Sequence, residues 1–377
     1  MSKKIIAFIL MLCIAVSAFS ISASADFEIA SEIKSAILIE PKTGTVIYEK
    51  NADEKLPPAS VTKTMTALLV MEAIESGRLS FDSQITVSAA ASGMGGSQIF
   101  LEVGEQIKVS ELLEGMMVAS GNDAAVAFAE AIGGTEENFV SMMNKRAEEL
   151  GLQNTHFMNC HGLDEENHYT SARDIAIISA ELVKHEDILH YTSIWTDTIR
   201  DGRTALANTN KLVRFYDGCD GLKTGSTSIA RCCITATAKK NGLRLIAVVL
   251  AAPTTDMRFA AARQLFDYGF AVKEFAEIKE EKLDMLPVKA GVKNKVAVKF
   301  DSSSMLVEKG TAAKIKYETV IPEYLNAPVK KGDKVGKISA VLDGKELFHS
   351  DIVATESVEK VGVLQIFLNI LKNICGR

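Results

Sequence analysis

Three short motifs occur in one order along the chain: Ser60-Val61-Thr62-Lys63, then Ser120-Gly121-Asn122, then Lys223-Thr224-Gly225. No other feature constrains the fold as strongly, because segments this far apart must meet before their chemistry can combine. Together they supply a serine nucleophile, candidate bases and a carboxylate anchor. That is the equipment for acyl transfer on a peptide-like substrate ending in a carboxylate.

Singly the motifs are weak. Ser-x-x-Lys recurs at Ser31 to Lys34 and Ser357 to Lys360, and Lys-Thr-Gly recurs at Lys42 to Gly44. Context removes these copies. Lys42 to Gly44 follows Pro41 and separates two apolar runs, Ala36 to Ile39 and Thr45 to Tyr48, which reads as a hairpin turn. Only Ser60 has Ser-x-Asn and then Lys-Thr-Gly at domain-scale distances downstream.

The chain has 377 residues, 47% hydrophobic and 24% charged, enough for one large core and a smaller domain. A net charge of −6 and the lack of a basic stripe give no reason to expect nucleic-acid binding. Lys3 and Lys4, the apolar run Ile5 to Ala18 and the Ala23-Ser24-Ala25 site mark residues 1–25 as a signal peptide. The run is short for a membrane span, so cleavage is expected over anchoring. Five cysteines would remain: Cys160, Cys219, Cys232, Cys233 and Cys375. Their spacing fits no zinc site, so no metal and no cofactor is expected, and buried free thiols are the default.

Ser35 to Asn51 reads as a β-hairpin. Val61 to Ser76 reads as a helix, with Met65, Leu68, Leu69 and Ala73 at helical spacing and Gly77 as a stop. Ser110 is expected to cap a helix through Val118. A bend at Ser120 to Asn122 precedes a helix over Asp123 to Ile132. Further helices are expected over Glu136 to Leu150, opened by Thr135, and over Ser171 to His185. Lys223 to Gly225 opens a run over Ile229 to Ala238, Leu243 to Leu250 reads as a strand buried on both faces, and Thr255 to Tyr268 returns to helix. Helices in the middle and strands at both ends suggest α+β. The expected catalytic unit spans residues 26–277. Short alternating runs over residues 278–356 suggest a small all-β domain. The tail, residues 357–377, ends in an amphipathic helix over Val361 to Arg377, whose polar residues gather in an arc of roughly 100°. Such a helix would lie on a membrane surface; docking on the protein itself is the alternative.

A serine hydroxyl needs a neighbouring base to become a nucleophile. Lys63, on the same helical face as Ser60, serves only if burial and a nearby cation lower its pKa. Lys223 is the obvious cation. Taken alone, Ser60 after Pro57 and Pro58 suits a helix N-cap; the other two motifs favour the nucleophile. Its N–H, in the first turn, is free to serve an oxyanion. Ser120 is placed to relay a proton from Lys63 to the leaving amine, and Asn122 to bond a substrate amide; plain turn formation is the alternative for both. Lys223 and Thr224 would bind the terminal carboxylate from a strand edge, with the Ser226 N–H as second oxyanion donor; an exposed strand start is the alternative.

Beyond the motifs, Ala59 to Thr66, Gly96 to Leu101, Cys160 to Asp164 and Asp220 to Gly225 resemble, in order, segments of the serine-type D-alanyl-D-alanine carboxypeptidases, the low-molecular-mass penicillin-binding proteins. The likeness covers essentially the whole chain. It implies a β-lactamase/transpeptidase-like domain, an antiparallel sheet packed with helices, followed by a small β domain. It implies removal of the terminal D-alanine from peptidoglycan pentapeptide stems through a Ser60 acyl-enzyme, and acylation of Ser60 by β-lactam antibiotics. It places the protein at the outer face of the cytoplasmic membrane. By position, Arg258 resembles an arginine that holds the substrate carboxylate, and a solvated helix charge is the alternative. His161 resembles a residue lining the site, and a structural loop histidine is the alternative.

Arg231 departs from the pattern, placing bulk and charge beside the Lys-Thr-Gly strand where such proteins often carry Gly-Tyr. Two rival readings remain. A serine β-lactamase would need a deacylating glutamate, and Glu165 and Glu166 lie in a loop after Ser120, although their setting matches the carboxypeptidase pattern. A non-catalytic cell-wall binding protein would usually have lost Ser60, Lys63 or Lys223.

Overall fold

The computed structural model describes residues 27–277, 283, 285–301 and 304–362. The expected signal peptide and the amphipathic segment beyond residue 362 lie outside the described residues.

One five-stranded antiparallel sheet organises the larger unit. Its strands are β1 (Ser35–Glu40), β2 (Thr45–Lys50), β3 (Cys219–Thr227), β4 (Arg231–Lys240) and β5 (Leu243–Ala252), in the order β2-β1-β5-β4-β3. The N-terminal hairpin therefore joins strands more than 160 residues downstream, and β3 is left at an edge. Side chains alternate across a strand, and here both faces are covered. Ile37, Ile39, Ile246, Val248 and Leu250 point into one core; Ala36, Leu38, Leu245, Ala247 and Val249 point into another. That accounts for the unbroken apolar run of β5.

On the first face lie α1 (Lys63–Glu75), α2 (Val109–Val118), α3 (Asn122–Gly133), α4 (Glu136–Glu149) and α5 (Ala172–Leu182). The second face carries α6 (Thr255–Val272), whose Leu265 and Phe266 are fully buried. Helix α1 is buried along most of its length, so it is a central helix and not an amphipathic surface one.

Several helix ends follow the sequence. The Thr135 hydroxyl accepts from Asn138 N at 3.1 Å and the Ser171 hydroxyl from Asp174 N at 3.1 Å, as N-caps do. Two details differ. Ser110 is not a cap: α2 begins at Val109, straight out of the short strand Gln106–Lys108. Its first amides are already taken, Val109 N by Ser83 O at 2.9 Å and Ser110 N by Phe81 O at 3.0 Å. The helix expected from Val61 opens instead with a 3₁₀ turn, Ala59–Thr62, before α1.

After α6 the chain enters strand Lys273–Glu277, which pairs antiparallel with Ser304–Glu308 of the smaller unit. A four-stranded sheet follows, in the order Val298–Phe300, Lys345–Ala354, Lys334–Leu342, Lys316–Val320. Val358 and Lys360 bridge to Val329 and Gly291, so extended pairing continues to residue 360. Lys42 Nζ, in the β1–β2 turn, donates to Ser304 Oγ at 3.0 Å and ties the two units together.

Candidate active site

The three motifs meet at the edge of the sheet. In a 3₁₀ turn, residues three apart eclipse one another, which brings the Lys63 amine over the Ser60 hydroxyl: Nζ donates to Oγ at 3.1 Å. The Ser60 side chain makes no capping bond; Pro58 occupies the N-cap position. Gly225 of β3 abuts the same turn. A Cβ on Gly225 would sit 2.7 Å from the Ser60 nitrogen and 2.9 Å from the Ala59 Cβ. The bare backbone at this position is thus what allows the strand to reach the serine.

Lys63 is fully buried, and its other donors go to Asn122 Oδ1 at 2.6 Å and the His161 carbonyl at 2.7 Å. Burial brings its pKa down to about 7, against the opposing pull of Cys160 and Asp123. The cation expected to do this, Lys223, is also fully buried and is itself pushed well down, by burial first and then by Lys63 and Arg258. Desolvation is therefore the leading cause for both amines. Lys223 Nζ donates to Thr224 O at 2.9 Å.

Ser120 is buried at the break between α2 and α3, in the left-handed region at φ 66°. Among the described residues no hydrogen bond joins its hydroxyl to Lys63, whose three N–H groups are already engaged. Asn122 is likewise occupied on both sides, its Nδ2 donating to Gly95 O at 2.6 Å. The Asp123 carboxylate, nearly inaccessible, accepts from Ile99 N at 3.0 Å and Leu101 N at 3.2 Å and fastens the Gly96 to Leu101 segment to α3.

His161 contributes its backbone. Its carbonyl holds Lys63, while its ring points elsewhere, with Nε2 3.5 Å from Glu136 Oε1. Burial and then Lys63 push the ring down to about 3, so it is neutral. Glu136 also accepts from the Cys160 thiol at 3.2 Å, and burial holds that thiol protonated. Cys160, Cys219, Cys232 and Cys233 are buried and unpaired; Cys375 lies outside the described residues. Among the described residues no cluster of side chains fits a metal ion.

Arg258, on α6, is buried beneath the Lys-Thr-Gly strand and is no solvated helix charge. Nη1 donates to Gly225 O at 2.9 Å and to Cys233 O at 3.3 Å, while its buried Nε lacks a partner among the described residues. Burial lowers its pKa. Thr224 Oγ1 donates to Thr209 Oγ1 at 2.8 Å, a partner that no sequence motif marks. Ser226 is exposed on β3, opposite Cys232. Arg231 sits at the start of β4, exposed, at φ 61° and opposite Thr227. Glu165 accepts from Asn159 Nδ2 at 3.1 Å. With Glu166 it lines a cavity behind Ala59, and among the described residues neither glutamate bonds Ser60 or Lys63.

The chain resembles known proteins in sequence and in fold. The family model for D-alanyl-D-alanine carboxypeptidase, peptidase S11, matches residues 20–254, and that for the penicillin-binding protein 5 C-terminal domain matches residues 276–360. The chain is 43% identical to the D-alanyl-D-alanine carboxypeptidase DacF of Bacillus subtilis over 356 residues, covering 93% of this chain and 90% of that one. It is 34% identical to DacA of Haemophilus influenzae, covering 93% and 92%. The crystal structure of penicillin binding protein 5 from Haemophilus influenzae superposes with a TM-score of 0.75 at 32% identity, covering 89% of this chain and 99% of that one. Penicillin-binding protein D2 from Listeria monocytogenes, in its ampicillin-bound form, gives 0.59 at 32% identity, covering 65% and 100%. Family matches to both units and 43% identity over nearly the whole chain agree, and the chain belongs to the D-alanyl-D-alanine carboxypeptidases of peptidase family S11.

Proposed function

We propose that this penicillin-binding D-alanyl-D-alanine carboxypeptidase removes the terminal D-alanine of peptidoglycan pentapeptide stems through an ester on Ser60. The observation that carries this reading is the Lys63 amine, wholly buried, 3.1 Å from Ser60 Oγ and brought down to about 7. An amine with that pKa is free often enough at neutral pH to take the serine proton.

The stem would lie along the open edge of β3, its terminal carboxylate held by Thr224, Lys223 and Arg258, whose buried Nε lacks a partner. The N–H groups of Ser60 and Ser226 would receive the oxyanion, and the contact of Gly225 with the Ser60 nitrogen supports that pairing. Lys63 would pass the proton towards the departing amine, with Ser120, two residues before Asn122, as the relay. Asn122 would orient Lys63 and, on releasing Gly95, a substrate amide. His161 would act through its carbonyl. Water then splits the ester. β-Lactams would enter by the same route, a reading supported by the ampicillin-bound relative. Residues 1–25 would direct export, and the tail after residue 360 would rest on the outer face of the membrane.

The test is D-alanine release from a diacetyl-L-Lys-D-Ala-D-Ala peptide, beside Ser60→Ala and with fluorescent penicillin as an active-site label. Release and labelling that both need Ser60 support the reading. A folded protein with neither would leave only a wall-binding role.

A further inference from the structure

Behind the base, three donors face one carboxylate oxygen. Glu136 Oε1, at the start of α4, accepts from Cys160 N at 3.2 Å and from the Cys160 thiol at 3.2 Å, and lies 3.5 Å from His161 Nε2. Leu163 N donates to His161 Nδ1 at 3.2 Å, so the neutral ring carries its proton on Nε2, towards that carboxylate. The first turn of a helix suits a negative charge. The Glu136 side chain is 32% exposed, on the wall of a cavity of about 470 Å³, so it stays hydrated while Cys160 and His161 are buried.

The segment held from behind grips α1 in front. Its two successive carbonyls accept from side chains one turn apart: Cys160 O from Thr66 Oγ1 at 2.6 Å and His161 O from Lys63 Nζ at 2.7 Å. The second contact sets where the base points. A free amine has two N–H groups and one lone pair in tetrahedral arrangement, and only the lone pair can take the serine proton. With the N–H groups on Asn122 Oδ1 at 2.6 Å and on His161 O, the direction left over is the one facing Ser60 Oγ at 3.1 Å. A shift of the His161 carbonyl therefore turns the lone pair away from the nucleophile.

On the reading of Lys63 as the base, on which this rests, we infer that Glu136 is a positioning residue: by fixing the Cys160–His161 backbone it aims the Lys63 lone pair at Ser60. Among the described residues no hydrogen bond joins Glu136 to Ser60 or Lys63, so it acts through that backbone. The role requires reach and not charge, because the groups it holds are an amide, a thiol and a neutral ring. A glutamine oxygen at the same distance serves equally. An aspartate carboxylate, one carbon shorter, falls back by about 1.5 Å and does not. The anchor for the substrate carboxylate, on β3 and α6, is untouched.

The experiment compares the full chain with Glu136→Ala, Glu136→Asp and Glu136→Gln, by D-alanine release from diacetyl-L-Lys-D-Ala-D-Ala and by the limiting rate of acylation with fluorescent penicillin. Both are read above pH 7, where the amine is free. Melting curves check that each variant is folded. The expected result is a fall of about tenfold in kcat and in the limiting acylation rate for the Ala and Asp variants at unchanged KM, with the Gln variant recovering to within about threefold. If the Ala variant does not fold, the Asp and Gln pair decides alone. Asp keeping the rate while Gln loses it overturns the inference, since charge and not reach would then matter. So does an equal fall in both, a rise in KM at constant kcat, or parental rates in all the folded variants. Neither release nor labelling in the unaltered protein would instead fell the carboxypeptidase reading, and this inference with it.

Discussion

The Lys63 amine and the His161 carbonyl lie 2.7 Å apart, although 98 residues separate them in the chain. The next residue, Gly162, is pressed against the turn that carries Ser60: at φ 91°, a Cβ there would come within 1.9 Å of Ala59 O. One glycine thus docks the loop that positions the base against the turn that positions the nucleophile.

Gly162→Ala should therefore slow acylation by a fluorescent penicillin at least tenfold, since a misplacement of about 1 Å suffices, and cost about 1–3 kcal/mol of stability. Gly151→Ala is the control. Its φ of 73° is also left-handed, but nothing lies within 4 Å of the added Cβ. It should cost about 1 kcal/mol and leave the labelling rate alone. Urea denaturation and label kinetics read both.

Acylation should rise with pH up to about 7 and level off, because Lys63 accepts a proton only as the free amine. Stability carries the same signature. The folded pKa is depressed from 10.5 to about 7, so between those values the unfolded chain binds more protons. Stability from this group therefore rises with pH across that window. Lys63→Met should be the more stable protein at pH 7, with the gap closing towards pH 10.5; denaturant midpoints over that range decide it.

Thr209→Val should reduce kcat/KM for the peptide about tenfold while changing stability by roughly 1 kcal/mol. It takes away the acceptor of the Thr224 hydroxyl and leaves that group unaimed. A stability loss matching the activity loss would mean the pair is only a packing contact.

Arg200 holds Glu105 with Nε at 2.7 Å and Nη2 at 2.6 Å, and donates from Nη1 to Ile99 O at 2.9 Å. Both side chains are largely buried, 4% and 10% exposed. Arg200→Ala should cost about 1–3 kcal/mol in urea unfolding, since the buried Ile99 carbonyl loses its donor and Glu105 keeps only the more exposed Arg203, at 3.0 Å. Arg200→Lys should recover only part, lacking the planar fork.

The chain's chemistry was legible because it resides in side chains of unusual order and spacing. Ser60, Lys63, Asn122, Lys223 and Gly225 are all brought together. Less legible was whatever depends on backbone. The His161 carbonyl has no residue-type signature, so the ring attracted attention and the peptide group did not. Thr209 looks like any loop threonine until β3 lies beside it. The 3₁₀ opening of α1 carries no periodic signal in four residues, yet it sets the Ser60–Lys63 approach. Ser110 misled because local capping rules ignore amides already taken by a neighbouring turn.

Strand β3 remains the unfinished side of the sheet. Free edges recruit any extended chain, including copies of the same protein. Here the Ala59–Thr62 turn packs on the face of β3 at Gly225 and leaves the edge itself unpaired, so a chain that pairs with β3 runs directly past Ser60. The same open rail that would invite another strand is thereby turned into a guide that lays an extended peptide beside the nucleophile.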